Sequence, residues 1–296
     1  MTSLPDLIKP IPYRENISFS KLTTLGVGGQ CKLLFEPVDE EQTRSLVKTF
    51  IREGWSYRIL GGGSNLVVLS DIDEPVIRLN FKKELKVRGR EITAPANYGH
   101  IRLSQEVALQ GLSGMEYASG IPGTTGGALH MNAGAYGREL VQILSRYRYI
   151  NPEGDVIDAV PDSSNFGYRW SHLGSGYVAL NFTVCLTPGD TKSIQAEVES
   201  NLHKRGSSQP LSKRNAGCIF KNPEGHSAGR LIDQAGLKGY RVGDAEVSSE
   251  HANFLINHGK ATAQEFYDLM IQVQSKVQSR YGITLEPEVE VWGNIN

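Results

Sequence analysis

Gly61-Gly62-Gly63-Ser64-Asn65-Leu66 and Gly120-Ile121-Pro122-Gly123-Thr124-Thr125-Gly126-Gly127 decide how this chain is read. Both stretches adjoin apolar runs and offer backbone N–H groups with no β-carbon to hold a ligand away. A diphosphate needs that arrangement, with several donors converging at short range in a turn that glycine can make. Either loop alone reads equally well as a tight turn. Two of them point to a diphosphate gripped from both sides, as in a dinucleotide cofactor. Ser64, Asn65, Thr124 and Thr125 are expected to add side-chain donors.

Outward from the first loop, Cys31–Pro37 reads as a strand, and Asp39 can cap a helix with Thr43, Leu46, Val47, Phe50 and Ile51 inside. Tyr57–Leu60 is a strand entering the loop and Leu66–Leu69 one leaving it. The layout suits a nucleotide, but neither loop has the GxGxxG spacing of a Rossmann fingerprint, so a different dinucleotide fold is expected. Short strands are expected over 76–79, 85–87 and 92–94, then a helix with Ile101, Leu103, Val107 and Ala108 on its inner side. Beyond the second loop, strands are expected near 146–151, 155–160 and 177–185. A helix with Ile194, Val198 and Leu202 inside follows Pro188-Gly189-Asp190, and two more are expected over 227–235 and 263–281. Residues 1–20 read as a polar leader.

Bulk composition narrows the function. A net charge of −1 over 296 residues gives no global field for nucleic acid or an anionic membrane. No apolar run approaches the length of a bilayer span, and no secretory signal is visible at the N-terminus. Cys31, Cys185 and Cys218 are odd in number and widely spaced, which speaks against a disulfide framework or a metal site and for a reducing, cytoplasmic setting. Cys31 and Cys185 lie in apolar strand-like runs and read as buried small residues.

Seven segments then occur in one order: Thr23-Thr24-Leu25-Gly26-Val27-Gly28-Gly29, the two glycine loops, Asn132-Ala133-Gly134-Ala135-Tyr136-Gly137, Tyr168-Arg169, Asn215-Ala216-Gly217-Cys218-Ile219-Phe220-Lys221-Asn222-Pro223, and Leu285-Glu286-Pro287-Glu288-Val289. With them the chain resembles the UDP-N-acetylenolpyruvoylglucosamine reductase family, MurB, from about residue 16 to 293. The resemblance implies an α+β fold. A two-part FAD-binding region of the vanillyl-alcohol-oxidase (PCMH) type would comprise residues 1–80 and 81–188. A C-terminal α+β substrate-binding domain would cover 189–296, its last residues returning to the first part. The short spacings from Arg169 to Cys218 and from Cys218 to Glu288 resemble the shorter, second subtype.

The resemblance implies non-covalent FAD, NADPH as reductant, and UDP-N-acetylglucosamine enolpyruvate as a small-molecule substrate. The protein would be a monomer in the cytoplasm, with no nucleic-acid or membrane partner. Hydride would pass from flavin N5 to C3 and a proton to C2. Arg169 matches the family's catalytic arginine, Glu288 its catalytic glutamate, and Cys218 stands where serine, the proton donor, is usual. A thiol keeps a transferable proton with a reference pKa of about 8.5. Gly61 through Leu66, Gly120 through Gly127 (with Ile121 and Pro122), Asn132, Ala133, Gly134, Tyr136 and Arg205 would hold the cofactor. Tyr168, Lys221, Asn222 and Lys238 would hold the substrate. Ser208 and Glu290 depart from the basic residues usual at their positions. His130 reads as a packing residue and His251 as ordering a loop. An FAD-dependent oxidase of small alcohols or lactones explains the glycine loops but not Arg169, Cys218 and Glu288 in register. A catalytically inactive flavin-binding module is the third reading.

Overall fold

In the computed structural model, which describes residues 11–294, packing divides the chain into two units. One takes residues up to Glu15, Leu33–Gly62 and Glu74–His203; the other takes Asn16–Lys32, Gly63–Asp73 and the chain from Lys204 onward.

Among the described residues the first unit has two large apolar cores and a small cluster of Ala108, Ile194 and Val198. Helix Glu40–Arg52 begins where the Asp39 carboxylate accepts from Gln42 N at 2.8 Å, a cap of about 1 kcal/mol. Thr43, Leu46, Val47, Thr49 and Phe50 are its buried positions, and Leu46, Val47 and Phe50 pack with Phe35, Ile77, Ile150, Val178 and Leu180. Strands Gln30–Phe35 and Arg58–Ile59 both pair in parallel with Val76–Ile77, so the helix is the crossover of a βαβ unit. The second core lies on a five-stranded antiparallel sheet ordered Val156–Ala159, Leu144–Ile150, Val178–Cys185, Glu91–Pro95, Lys86–Arg88. Helix His100–Leu109 and the short helix Thr125–His130 contribute Leu103, Val107, Ala128 and Leu129 to it.

In the second unit, a four-stranded antiparallel sheet runs Arg214–Cys218, Phe254–Asn257, Ala245–Val247, Arg241–Val242. Helices Ala228–Gln234 and Ala263–Tyr281 share its core with Leu231, Phe266, Leu269 and Val273. Thr262 and Glu265 form a capping box on the long helix, and Gly282 ends it at φ +70°. Strand Glu290–Trp292 pairs in parallel with Leu66–Val68.

Five expectations need correcting. Ile51, expected inside helix Glu40–Arg52, is 42% exposed on its last turn, where the helix runs out past the core. Cys185, read as buried, is only half-buried at the end of its strand. The stretch read as a leader contains strand Tyr13–Ser18, and Phe19 is fully buried. That strand lies at a sheet edge with exposed side chains, so it leaves little apolar pattern; residues 1–10 lie outside the described part. On helix His100–Leu109 the inner face takes His100 and Ser104 rather than Ile101. On helix Thr191–Ser208 the buried position beside Ile194 and Val198 is Asn201, while Leu202 is exposed. In both helices a buried polar residue displaced an apolar neighbour from the stripe. Among the described residues no helix is long and apolar enough to cross a membrane.

Candidate active site

The two glycine loops meet backbone to backbone in the first unit. A β-carbon on Gly62 would lie 2.6 Å from Gly123 Cα, and one on Gly61 would lie 3.0 Å from Thr124 Oγ1. A side chain at Gly62 would strike the opposite loop's backbone and one at Gly61 would press on Thr124, so the loops pack this closely only with bare backbone, which is compatible with a close-fitting diphosphate cradle. Thr124 caps helix Thr125–His130 by accepting from Gly127 N at 3.3 Å, and its own O–H remains a donor. The Thr125 hydroxyl donates to Pro95 O at 2.6 Å and is fully buried, so its side chain is not the ligand donor expected. The Thr125 and Gly126 amides are likewise spent on Tyr98 O and Ala96 O. Gly120 ends a 3₁₀ turn leading into the loop, with Ile121 packed on the core and Pro122 exposed.

From Gly63 onward the first loop belongs to the second unit. A β-carbon on Gly63, at φ +63°, would lie 2.1 Å from Leu22 O, and Gly63 O accepts from Thr24 N. Ser64 follows it, half-buried. Asn65 has a different task from the one expected. Its Nδ2 donates to Glu288 O at 3.0 Å while its carbonyl accepts from Glu290 N at 3.0 Å. Leu66, buried, continues that pairing. The loop therefore anchors the segment carrying Glu288.

Cys218 and Glu288 come together in the second unit. Cys218 ends a strand whose register breaks after Asn215, with Gly217 at φ +78° re-aiming the chain. The next residue, Ile219, accepts from Glu288 N at 2.7 Å, and Phe220 bridges to Pro287. Cys218 is half-buried and forms no disulfide. Asn253, which the sequence reading passed over, clamps this segment: its Oδ1 accepts from Phe220 N at 3.0 Å and its Nδ2 donates to Phe220 O at 2.7 Å. It is 4% exposed and lies in Ala252-Asn253-Phe254, which has no recognisable spacing to mark it.

The substrate candidates in this unit are already engaged. Lys221 Nζ pairs with Glu286 at 2.6 Å and Lys238 Nζ with Asp233 at 3.1 Å. Asn222 Oδ1 accepts from Ala228 N, the first residue of helix Ala228–Gln234, leaving its amide group as a donor. The Ser208 hydroxyl donates to Lys204 O, and Glu290 accepts from Trp292 Nε1. Arg205 lies on the last turn of helix Thr191–Ser208. His251 Nδ1 accepts from Asn253 N and its ring packs on Phe254, a loop-ordering role. Burial, with Lys238 adding, holds its pKa below the usual range.

Arg169 lies in the first unit, at the second place of the two-residue turn joining Phe166–Gly167 to Trp170–Ser171. Its φ is +57°, a conformation glycine favours and arginine resists. The guanidinium stands 4.9 Å from the centroid of the half-exposed Tyr168 ring. Arg169→Gly should therefore be about 1 kcal/mol more stable than Arg169→Ala in urea unfolding. The opposite order, normal elsewhere in a chain, would mean that this turn is not strained.

Asn132, at φ +43°, has no exposed surface, and both its amide hydrogens and its Oδ1 are engaged by protein groups, so its side chain shapes the loop. Ala133 is buried. Gly134 is required because a β-carbon would lie 2.4 Å from Arg138 O. Tyr136 donates to Asn201 O. His130 Nδ1 donates to Leu173 O, a packing role as expected.

Comparison with known proteins turns this geometry into an assignment. Residues 209–292 match the model of the UDP-N-acetylenolpyruvoylglucosamine reductase C-terminal domain, and residues 31–159 match an FAD-binding domain. The UDP-N-acetylenolpyruvoylglucosamine reductase 2 of Symbiobacterium thermophilum is 38% identical over 92% of this chain and 89% of its own length. The chain belongs to the UDP-N-acetylenolpyruvoylglucosamine reductase family. The crystal structure of the family's MurB from Thermus caldophilus superposes with a TM-score of 0.83 at 38% identity, covering 96% of this chain and all of that one. A solvent-stable cholesterol oxidase, 13% identical with a TM-score of 0.50 over 63% of this chain, shares the fold alone. The vanillyl-alcohol-oxidase type of FAD-binding region is thus the family's scaffold here too.

Proposed function

We propose that this chain reduces the enolpyruvyl group of UDP-N-acetylglucosamine enolpyruvate to UDP-N-acetylmuramate, a step of peptidoglycan synthesis. The observation that carries the proposal is the adjacency of Cys218 and Glu288 on neighbouring segments, the first anchored through Asn253 and the second through Asn65. It is an FAD enzyme using NADPH, and the bare backbones of Gly61, Gly62 and Gly123 fit a cofactor diphosphate. Bound FAD supplies the hydride to C3.

The chain's own residues supply the rest. The Cys218 thiol gives a proton to C2. As charge grows on the conjugated carboxylate, the Arg169 guanidinium forms a charge-assisted pair that strengthens with it. Glu288 holds or relays a proton beside the developing enolate. Lys221, the amide group of Asn222, and Lys238 bind the UDP-sugar, the two lysines exchanging carboxylate partners for ligand oxygens. The enzyme acts as a monomer in the cytoplasm, on a small molecule and not on nucleic acid or membrane. We take residues 1–80 and 81–188 as the two flavin-binding parts and 189–296 as the substrate domain, with Asn16–Lys32 and Gly63–Asp73 packing with the last of these and the chain as far as His203 packing with the first two.

The test is a pair of assays on the yellow holoenzyme. NADPH oxidation should depend on enolpyruvyl-UDP-N-acetylglucosamine, with no oxygen uptake on small alcohols or lactones. Oxygen uptake with alcohols would instead establish an oxidase, and flavin binding without turnover in either assay an inactive module.

A further inference from the structure

The strained turn at Arg169 persists only if its surroundings over-determine it. One short segment, residues 130–132, reaches across to both strands of the hairpin and to its exit. Asn132 Nδ2 donates to Gly167 O at 3.0 Å, two residues before Arg169. Ser171 Oγ donates to His130 O at 2.8 Å, two residues after it. His130 Nδ1 donates to Leu173 O at 2.6 Å. The first two donors are 0% and 3% exposed, so water does not substitute for these bonds. Asn132 is tied further: its other amide hydrogen goes to Glu139 at 2.9 Å, and its Oδ1 accepts from Val141 N at 3.0 Å. Beyond the hairpin, the His172 ring packs edge-on against Tyr147, Phe166 and Tyr177 and shares a 2.8 Å hydrogen bond with the Tyr147 hydroxyl.

We propose that Asn132 and Ser171 are positioning residues for Arg169, fixing the left-handed turn and with it the direction of the guanidinium. The inference rests on the reading of Arg169 as a catalytic residue. It reassigns Asn132 from the cofactor to the hairpin. It also makes the end of the second glycine loop's helix, at His130, the base on which the arginine turn is mounted.

The test uses FAD-loaded full chain carrying Ser171→Ala or Asn132→Ser, each alone and combined with Arg169→Ala. Three quantities are read: flavin reduction by NADPH, turnover with the enolpyruvyl substrate, and hydrogen exchange of the 166–173 amides. Ser171→Ala should leave flavin content and reduction within about twofold while kcat falls about tenfold. Exchange at Tyr168, Arg169 and Trp170 should rise about tenfold, with the five-stranded sheet unchanged. In the Arg169→Ala background neither substitution should lower kcat further, because the group they aim is gone. Wild-type turnover in both single variants, or an undiminished loss on top of Arg169→Ala, overturns the positioning role while leaving the catalytic arginine standing. Wild-type turnover in Arg169→Ala alone overturns both.

Discussion

Replacing Cys218 with alanine is expected to leave NADPH-driven flavin reduction near the wild-type rate and to cut product formation by about 10²- to 10⁴-fold, the usual contribution of a positioned general acid. The separation follows from chemistry, since only the step that places a proton on C2 calls on the thiol. Cys218→Ser keeps a transferable proton on a side chain of nearly the same length, so turnover should persist. It should be slower because a hydroxyl is a much weaker acid than a thiol of reference pKa about 8.5. The backbone around 218 has supports of its own: the bulge is made by Gly217, and the segment beyond is held by Asn253 on Phe220 and by Glu288 N on Ile219 O. Anaerobic reduction by NADPH followed by substrate addition resolves the two half-reactions. Alanine turning over at the wild-type rate would remove Cys218 from the mechanism.

What the sequence disclosed and withheld follows from where the information lies. The glycine loops were legible because a bare backbone is written directly as Gly, and the helix from Asp39 because a cap precedes a periodic apolar stripe. The Cys218 and Glu288 segments were legible through resemblance, yet nothing in their spacing says that Ile219 and Glu288 share a hydrogen bond. The buried amides were not legible. Asn132, Asn201 and Asn253 each serve backbone groups far away in sequence, and an asparagine carries no periodic signal of such a partner. Asn65 and Thr125 were assigned to a ligand because they follow or occupy glycine loops. Their side chains instead serve the protein's own carbonyls. A polar residue beside a glycine loop thus has two possible employers, and only coordinates distinguish them.

The same masking hides His100, which carries the second large prediction. Its ring is fully buried at the first turn of helix His100–Leu109, its backbone N–H donates to Gly123 O in the second glycine loop, and neither ring nitrogen has a hydrogen-bond partner. Burial lowers its pKa to about 4 from the ordinary 6.5, and a helix N-terminus acts in the same direction. The folded chain therefore keeps this imidazole neutral while the unfolded chain protonates it. Above pH 6.5 both states are neutral and the full stability is present. Between pH 6.5 and 4 the unfolded state gains a proton that the folded state refuses, and stability falls by about 3 kcal/mol in all. Below pH 4 both states bind it and this loss stops. His100→Leu removes the titration and a buried polar ring without partners, so it should also be more stable at pH 8 by about 1 kcal/mol. Urea midpoints of the two proteins across pH 4–8 isolate the effect, because His172 and His251, also lowered by burial, titrate in both and cancel in the difference. The gap between leucine and wild type should be constant above pH 7 and widen steadily towards pH 4. A gap that stays constant over the whole range would mean that the buried imidazole takes up its proton as readily folded as unfolded.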